Sequence, residues 1–208
     1  MKILTLGNCH AQNLGLILEI SCVDISCQFL HIDSLTDDTP SMFGNYDLVI
    51  IQEHPRLNLF FKLKGEDGFL FIPNISFIGY HPDIMYLKNT NNDYLSKFPQ
   101  SNIITNSFFS GISKTECSKL FTKEFIKHLN YDEVFEVSKQ NLISHINNSG
   151  MDGPFLFDKW HMNSPFVLVP THPELFVLKD LALHVCSKAN IKMTTTDIYS
   201  VYNNPMKR

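Results

Sequence analysis

The first thirty-two residues contain the pattern that most constrains the fold of this chain. A short apolar strand is predicted from Lys2 to Leu6, a helix from about Ala11 to Ile20, and a second strand from Ile25 to Ile32. A strand, a helix and a strand within about thirty residues form a βαβ unit, whose two strands pair in parallel by default. We therefore predict an α/β fold built on a parallel sheet.

Two further strands are predicted downstream. Four consecutive aliphatic residues, Leu48 to Ile51, are typical of a strand buried on both faces, and this strand ends in Gln52. The apolar run from Phe69 to Pro73 predicts another strand, and Asn74 to Tyr80 continues it. Ligands of open α/β sheets bind at the carboxyl ends of strands, so the residues after each strand are candidates for a site.

The length of 208 residues suits one α/β domain. No repeat or low-complexity linker divides the sequence, and from Ser113 the apolar spacing becomes helical, with a second helix from Asp132 to about Ile146. We therefore predict a single domain over 1–208 with a helical insertion at about 110–148.

Other segments are read from local signals. Asn102 to Phe109 fits either a strand or the start of a buried helix, and Asn147 to Pro154 resembles a loop. The last strong helix is predicted from Glu174 to about Lys188, after Pro173, which suits the first turn of a helix.

Charge and composition exclude several functional classes. The net charge is -4 and no run of Lys or Arg is present, which argues against broad nucleic-acid binding. No stretch approaches 18 uncharged apolar residues, so we expect no membrane span. Phe is frequent, at 17 residues, while charged residues are 18%. Such a chain has apolar surface that a ligand cleft or a subunit interface would cover. A homo-oligomer is therefore one expectation.

The cysteines indicate a reducing environment. They are odd in number and form neither a CxxC nor a zinc-type spacing: Cys9, Cys22, Cys27, Cys117 and Cys186. Reduced thiols are typical of intracellular proteins, and the first residues lack the features of a signal peptide, so we expect a cytoplasmic protein. No HxH or HExxH motif supports a metal, and we expect none.

The turn after the first predicted strand is the strongest candidate for chemistry. Gly7 and Asn8 form the turn, and Cys9 and His10 follow directly before the helical pattern. A helix N-terminus and an adjacent imidazole both favour a thiolate, which is the nucleophilic form of cysteine. Two alternatives stay open. His10 serves Cys9, or His10 contacts a substrate and another histidine acts as base. An incidental cysteine on a Gly-Asn turn is the non-functional alternative.

Other histidines could supply the base. His54, His81, His161 and His172 occur in loop-like settings. Asp158 precedes His161 in a D-x-x-H pattern, in which a carboxylate could orient an imidazole, although this pattern is common by chance. His172 stands just before a helix, where it either acts or caps structure. His54 and His81 fit a pocket lining or a turn better than a metal pair.

Four segments resemble the WcbI-type capsular polysaccharide biosynthesis proteins. They are the G-N-C-H turn from Gly7 to His10, the buried strand from Leu48 to Gln52, the P-N-x-x-F-x-G-Y-H-P-D segment from Pro73 to Asp83, and a late H-P at His172. The resemblance extends across most of the chain. It implies acetyl transfer from acetyl-coenzyme A to a sugar of a surface polysaccharide, with Cys9 and His10 at the centre. Two mechanisms fit: the Cys9 thiolate takes the acetyl group as a thioester and passes it on, or His10 deprotonates the sugar hydroxyl for direct attack while Cys9 lines the site.

A more distant likeness is to SGNH/GDSL-type hydrolases and acetyltransferases. In that comparison Cys9 occupies the position of the nucleophilic serine, Asp158 and His161 have the spacing of the late D-x-x-H motif, and His172 has its place before the last helix. Gln52 is the nearest counterpart of the oxyanion-hole residues. The likeness implies a three-layer, SGNH/flavodoxin-like parallel-sheet core.

These resemblances imply a coenzyme A-dependent O-acetyltransferase acting on a carbohydrate. The implied catalytic residues are Cys9, His10, His172, His161 and Asp158. The implied coenzyme-binding residues are Gly7, Asn8, Gln52, His54, Tyr80 and His81, with Arg56, Lys62 and Lys64 as candidate phosphate ligands. An SGNH-like or cysteine esterase is the alternative enzyme. A sugar- or nucleotide-binding module is the alternative without catalysis.

Overall fold

The structure is a computed structural model that describes residues 1–88, 99–195 and 197. The strands are β1 (Lys2–Gly7), β2 (Ser26–His31), β3 (Leu48–Gln52), β4 (Phe69–Ile72), β5 (Ile84–Met85), β6 (Gln100–Ser101), β7 (Val167–Val169) and β8 (His172–Pro173). The α-helices are α1 (Cys9–Ser21), α2 (Asn102–Phe109), α3 (Lys114–Ser118), α4 (Lys123–His128), α5 (Tyr131–Asn148), α6 (Gly153–Asn163) and α7 (Leu175–Lys188). Short 3-10 helices occupy Ile32–Ser34, Thr39–Asn45 and Pro55–Leu63.

The core sheet is parallel and has four strands in the order β2-β1-β3-β4. Gly7 pairs with His31, Leu6 with Ile51, and Gln52 with Ile72, so the carboxyl ends of neighbouring strands lie side by side. This sheet with its flanking helices confirms the predicted three-layer α/β fold. The polar residues that follow β1 and β3 are thereby brought to one edge of the sheet.

The two faces of the sheet are covered by different elements. On one face, side chains of β1 and β3 pack with the 3-10 segments in an apolar cluster that includes Leu4, Leu6, Val49, Ile51, Phe43, Leu57 and Phe60. On the other face, Gly15 of α1 lies against Thr5 of β1, and α7 packs on α1. Alternation of side chains along a strand explains the division, because Leu4 and Leu6 point away from Thr5.

Helices α6 and α7 are joined by a polar contact inside the core. Trp160 is fully buried, and its indole N–H donates to Oδ2 of Asp180 at 2.7 Å. Lys159 donates to the other carboxylate oxygen of Asp180 at 2.8 Å. The carboxylate thus satisfies the buried indole, which would otherwise leave an unpaired donor in an apolar environment.

The described chain divides into two compact units. One contains residues 1–76 together with those from 142 onward, and the other contains residues 77–141. In the second unit, the Asp83 carboxylate accepts hydrogen bonds from the N–H of Ile103 at 3.0 Å and the hydroxyl of Tyr131 at 2.8 Å. A small core of Ile103, Cys117 and Tyr131 supports it. The predicted single domain and the limits of its insertion at about 110–148 stay predictions.

Three local predictions are wrong. The strand predicted to continue through Asn74 to Tyr80 stops at Ile72, because Pro73 has no N–H to give to a ladder. His161, which the sequence placed in a loop-like setting, lies within α6. The loop predicted from Asn147 to Pro154 is present but shorter, because α5 ends at Asn148 and α6 begins at Gly153. Pro173 lies in β8, ahead of the first turn of α7, which begins after Glu174.

The ambiguous segment from Asn102 to Phe109 is helix α2. Within the described ranges, no helix is both long enough and apolar enough to cross a bilayer.

Candidate active site

The turn between β1 and α1 presents a thiol at a helix N-terminus. Asn8 is the N-cap of α1, and its side-chain oxygen accepts the N–H of His10 at 2.9 Å. Cys9 is the first residue of the helix and is exposed, with a free thiol. An N-cap of this kind fixes the direction of the first helical N–H groups, and their positive end favours negative charge nearby.

Two opposing effects act on the Cys9 thiol. Desolvation of the partly covered sulfur raises the pKa of Cys9, hydrogen bonds from the backbone N–H groups of Cys9 and His10 act to lower it, and the net shift is upward. The folded protein therefore favours the thiol, not the thiolate that the sequence pattern suggests. The N–H of Cys9 can stabilise negative charge on a substrate oxygen held at this position. The arrangement is therefore suited to a nucleophile whose reaction develops negative charge at the helix start.

Gln52 connects the end of β3 to this turn. Its side-chain oxygen accepts the backbone N–H of Asn8 at 2.9 Å, and the side chain is fully buried. The contact is possible only because residue 7 is glycine. A Cβ on Gly7 would collide with Oε1 of Gln52 and would lie 2.7 Å from its Cβ and 2.8 Å from the Cβ of Ala11.

His10 is buried, at 2% exposure, and both of its ring nitrogens have partners. Nε2 lies 2.5 Å from the backbone carbonyl oxygen of Thr171, and Nδ1 lies 3.2 Å from Nε2 of Gln52. The side-chain amide of Gln52 also donates to Oδ1 of Asn74 at 2.9 Å. A buried network thus joins the N-terminus of α1, the segments at the ends of β3 and β4, and the turn between β7 and β8.

The partners of His10 define its tautomer. The carbonyl of Thr171 can only accept, so Nε2 carries the hydrogen, and Nδ1 accepts from the amide of Gln52. The Gln52 amide is itself oriented by the Asn8 N–H, which its oxygen must accept. In this arrangement His10 is neutral and has no lone pair available for a substrate proton. It holds the turn in place, and the base role falls to another group.

The protonation of His10 is disfavoured in the folded protein. Burial lowers the pKa of His10, the hydrogen bond to Thr171 raises it, and the nearby charge of His172 lowers it, with a net shift downward. A second ring proton would also point at the donor amide of Gln52. The folded state therefore resists a charge that the unfolded chain accepts near pH 6.5.

We expect this histidine to make the protein less stable in acid. As the pH falls below about 6.5, the unfolded chain binds a proton at His10 that the folded chain does not, so stability falls by up to about 1.4 kcal/mol per pH unit. The variant His10→Gln removes this contribution. Urea unfolding between about pH 7 and pH 5 should give a shallower loss for the variant than for the unaltered protein. Burial also lowers the pKa of His54 and His184. Because the variant and the unaltered protein both contain these two histidines, they do not cause the difference between the two pH slopes. Equal pH slopes would contradict the proposed protonation state.

His172 lies beside this network. His172 is the first residue of β8 and comes directly after Thr171. Its side chain is exposed, and its Nδ1 is 3.4 Å from the hydroxyl of Thr171. The carbonyl of its neighbour Thr171 accepts the ring N–H of His10, and a positive charge on His172 would lower the pKa of His10. The hydrogen bond between His10 and Thr171 therefore holds His172, one of the histidines predicted as possible bases, near the N-terminus of α1.

Asp158 and His161 are exposed on α6. The ring of His161 stacks on Phe157, with centroids 5.7 Å apart. The residues between them, Lys159 and Trp160, bind Asp180 and so join α6 to α7. The D-x-x-H pattern is therefore interleaved with a structural contact, and its catalytic role stays a prediction.

Cations lie on the segment that follows β3. His54 caps the 3-10 helix Pro55–Leu63, and its Nδ1 accepts the N–H of Arg56 at 3.2 Å. Arg56 forms an ion pair with Asp33, and Lys64 donates to the carbonyl of Asn148. Lys62 is exposed in the same helix. The predicted phosphate ligands therefore share one short segment directly beyond the sheet edge.

Tyr80 and His81 belong to the second unit. The Tyr80 ring packs on Phe77 with centroids 4.8 Å apart, and burial raises the pKa of Tyr80 to about 12. The backbone N–H of His81 donates to the carbonyl of Ile78 at 2.8 Å. Their predicted role in coenzyme binding stays a prediction. Among the residues that the structure describes, no group of His, Cys, Asp and Glu side chains is arranged to hold a metal ion.

Two members of the network were not predicted. Asn74 follows β4 and could have been found by the rule that identified Gln52, because it is a polar residue just past the end of a strand. Thr171 contributes its backbone carbonyl, which every residue type possesses, so its sequence carries no signal.

Comparison with known proteins identifies similarity over nearly the whole chain. The model of the WcbI family, described as polysaccharide biosynthesis enzymes, matches residues 2–194. No curated protein sequence matches significantly. A solved structure of WcbI is similar with a TM-score of 0.68 at 14% identity, over 94% of this chain and 73% of that chain. That structure is described as a native polysaccharide biosynthesis enzyme without a disulfide bond between coenzyme A and one of its cysteines.

Proposed function

Because the chain belongs to the WcbI family of polysaccharide biosynthesis enzymes, we propose that it transfers an acetyl group from acetyl-coenzyme A to a sugar hydroxyl. The acceptor would be a carbohydrate of a surface or capsular polysaccharide. The observation that carries this proposal is the exposed Cys9 thiol at the first residue of α1, where the N–H groups of Cys9 and His10 face the sulfur. The association of a WcbI structure with coenzyme A supports the choice of donor.

In the first step, the Cys9 sulfur attacks the carbonyl carbon of the acetyl thioester. A bond forms from Sγ to that carbon, the bond from the carbon to the coenzyme sulfur breaks, and the thiol proton passes to the departing coenzyme A thiolate. The N–H of Cys9 and the side-chain NH2 of Asn8 would stabilise the negative charge on the carbonyl oxygen, since the N–H of His10 already donates to the Asn8 side-chain oxygen.

In the second step, a sugar hydroxyl oxygen attacks the acetylated cysteine. The new ester bond forms, the bond from Sγ to the acetyl carbon breaks, and the hydroxyl proton returns the sulfur to a thiol. His172, exposed beside the site, is the group we propose to relay this proton. His10 would not relay it, because both of its nitrogens are engaged by Thr171 and Gln52.

The coenzyme itself would extend from the thiol toward the segment beyond β3. Gly7 and Gln52 would act by shaping the turn, since the missing side chain at residue 7 lets the buried Gln52 accept the N–H of Asn8. Arg56, Lys62 and Lys64 are the cations proposed to contact the phosphates. A cationic side chain is the usual partner of a phosphate, with arginine able to bind it through two N–H groups.

Acetylation of the protein tests this proposal. After incubation with acetyl-coenzyme A, intact-mass spectrometry should detect one acetyl adduct on the unaltered protein and none on Cys9→Ser. The matched control is Cys27→Ser, because Cys27 is partly buried and its pKa is raised to about 12, so its thiol is unreactive. This variant should retain the adduct.

Three results would contradict the proposal. Calorimetry without any heat of coenzyme A binding would exclude a coenzyme A-dependent reaction. Release of acetate in the absence of a sugar acceptor would identify an esterase. Binding of a sugar or nucleotide, with no transfer or hydrolysis of an acetyl group, would identify a binding module.

A further inference from the structure

The second unit has an unusually apolar exposed surface between α2 and α4. Phe108 and Phe109 are 76% and 74% exposed, and their rings contact each other with centroids 5.6 Å apart. Ile104, Ile112 and Phe121 are also exposed. Single exposed apolar residues are ordinary, but a group of this size within one short segment requires an explanation.

Several of these side chains line one groove. Ile104, Phe108, Ile112 and Phe121 surround a cavity of about 470 Å³, and Lys114 lies at its wall. The residues come from α2, from the turn after it and from the turn before α4, so the groove is formed by the packing of these elements. The apolar surface is therefore continuous and concave, with a cation beside it.

The same segment is basic although the whole chain is acidic. Between residues 102 and 130 there are four lysines against two glutamates, and all four lysines are exposed, whereas the chain as a whole has a net charge of -4. The lysines are Lys114, Lys119, Lys123 and Lys127. Exposed aromatic and aliphatic residues next to lysines are the composition of surfaces that bind anionic lipid headgroups and the acyl chains beneath them.

The charge argues against a second copy of this chain as the occupant. A symmetric contact through this face would bring two sets of lysines together, and like charges opposed in an interface are repulsive. An anionic surface would be attracted by the same lysines.

We propose that the surface formed by α2, α3 and α4 docks on the face of a membrane that contains anionic lipids. Phe108 and Phe109 would enter the boundary between headgroups and acyl chains, the groove would receive part of one lipid chain, and the lysines would contact lipid phosphates. This role is independent of acetyl transfer, because it uses none of the residues assigned to the candidate active site or to coenzyme binding. It would hold the enzyme at a membrane surface through contacts with headgroups and the upper parts of acyl chains.

Vesicle sedimentation tests the proposal. The full chain should bind vesicles of phosphatidylcholine mixed with phosphatidylglycerol, bind pure phosphatidylcholine vesicles much more weakly, and lose affinity as salt is raised. The double variant Phe108→Ser/Phe109→Ser should reduce affinity by about tenfold or more, since two apolar side chains leave the lipid. Lys114→Gln should reduce it by about fivefold.

A matched control keeps the comparison specific. Phe155 is 62% exposed on α6, in the first unit, so Phe155→Ser removes an exposed aromatic ring elsewhere and should leave vesicle binding unchanged. Equal binding of both vesicle types, absence of binding, or unchanged binding by the double variant would overturn the proposal. A monomer produced from an oligomer by the double variant, without any effect on vesicles, would identify a second copy as the occupant instead.

Discussion

Replacing Gly7 with alanine is expected to destabilise the protein by about 2 to 5 kcal/mol and to abolish activity. The new methyl group would overlap Oε1 of Gln52 and would lie 2.8 Å from the Cβ of Ala11. Neither neighbour can give way cheaply, because Ala11 is fixed in α1 and Gln52 is fully buried. If Gln52 moves, its bonds to Asn8, His10 and Asn74 are lost together.

The measurement is urea unfolding of Gly7→Ala beside a second glycine variant. Gly44 has nothing within 4 Å of the position that a Cβ would take, so Gly44→Ala should change the free energy of unfolding by less than about 1 kcal/mol. Similar losses in both variants would mean that the close approach of Gln52 to residue 7 contributes little. A variant that folds normally but binds no coenzyme A would also separate the fold from the site.

Replacing Cys9 with alanine is expected to reduce kcat/KM for acetyl transfer at least about a thousandfold, since removal of a nucleophile eliminates the covalent route. The side chain is exposed and its removal leaves the cap of α1 intact, because Asn8 and His10 make that contact. We therefore expect the unfolding free energy to change by less than about 1 kcal/mol and coenzyme A binding to persist.

The control for Cys9→Ala is Cys27→Ala, which removes a different thiol and should retain activity. A histidine variant adds a second criterion. If His172 relays the proton, His172→Gln should lower kcat for acetyl transfer while coenzyme A binding persists. Retention of activity in Cys9→Ala would instead favour direct attack of the sugar hydroxyl on the thioester.

The sheet was predictable from the sequence because its signals are local. Leu48 to Ile51 are consecutive aliphatic residues, which fit a strand covered on both faces, and the first βαβ unit lies within thirty-two residues. The errors occurred where one residue changes the local outcome. Pro73 ended β4, and the Asp152 side chain, which accepts the N–H of Phe155 at 3.0 Å, started α6 inside a segment rich in Asn and Gly.

The site was predictable in part for a similar reason. Cys9 follows one strand and Gln52 ends another, and the hydrophobic pattern identifies both strands, so their place at the sheet edge follows from topology. The state of His10 was not predictable, because it depends on a carbonyl 161 residues away and on the orientation of one amide. The position of His10 next to Cys9 in the sequence suggested that it acts as a base. Its contacts with Thr171 and Gln52 instead give it a structural role.

The contact between His10 and Thr171 also concerns the order in which the protein forms. The thiol and its turn are near the beginning of the sequence, but the carbonyl that fixes His10 is 161 residues further on. Closing a loop of that length has an entropic cost that local contacts must first reduce, so we expect the pair to form after the sheet and α1 are in place. During synthesis, the turn bearing Cys9 therefore leaves the ribosome long before its support. We therefore expect the site around Cys9 to become ordered only late in folding, when Thr171 reaches His10.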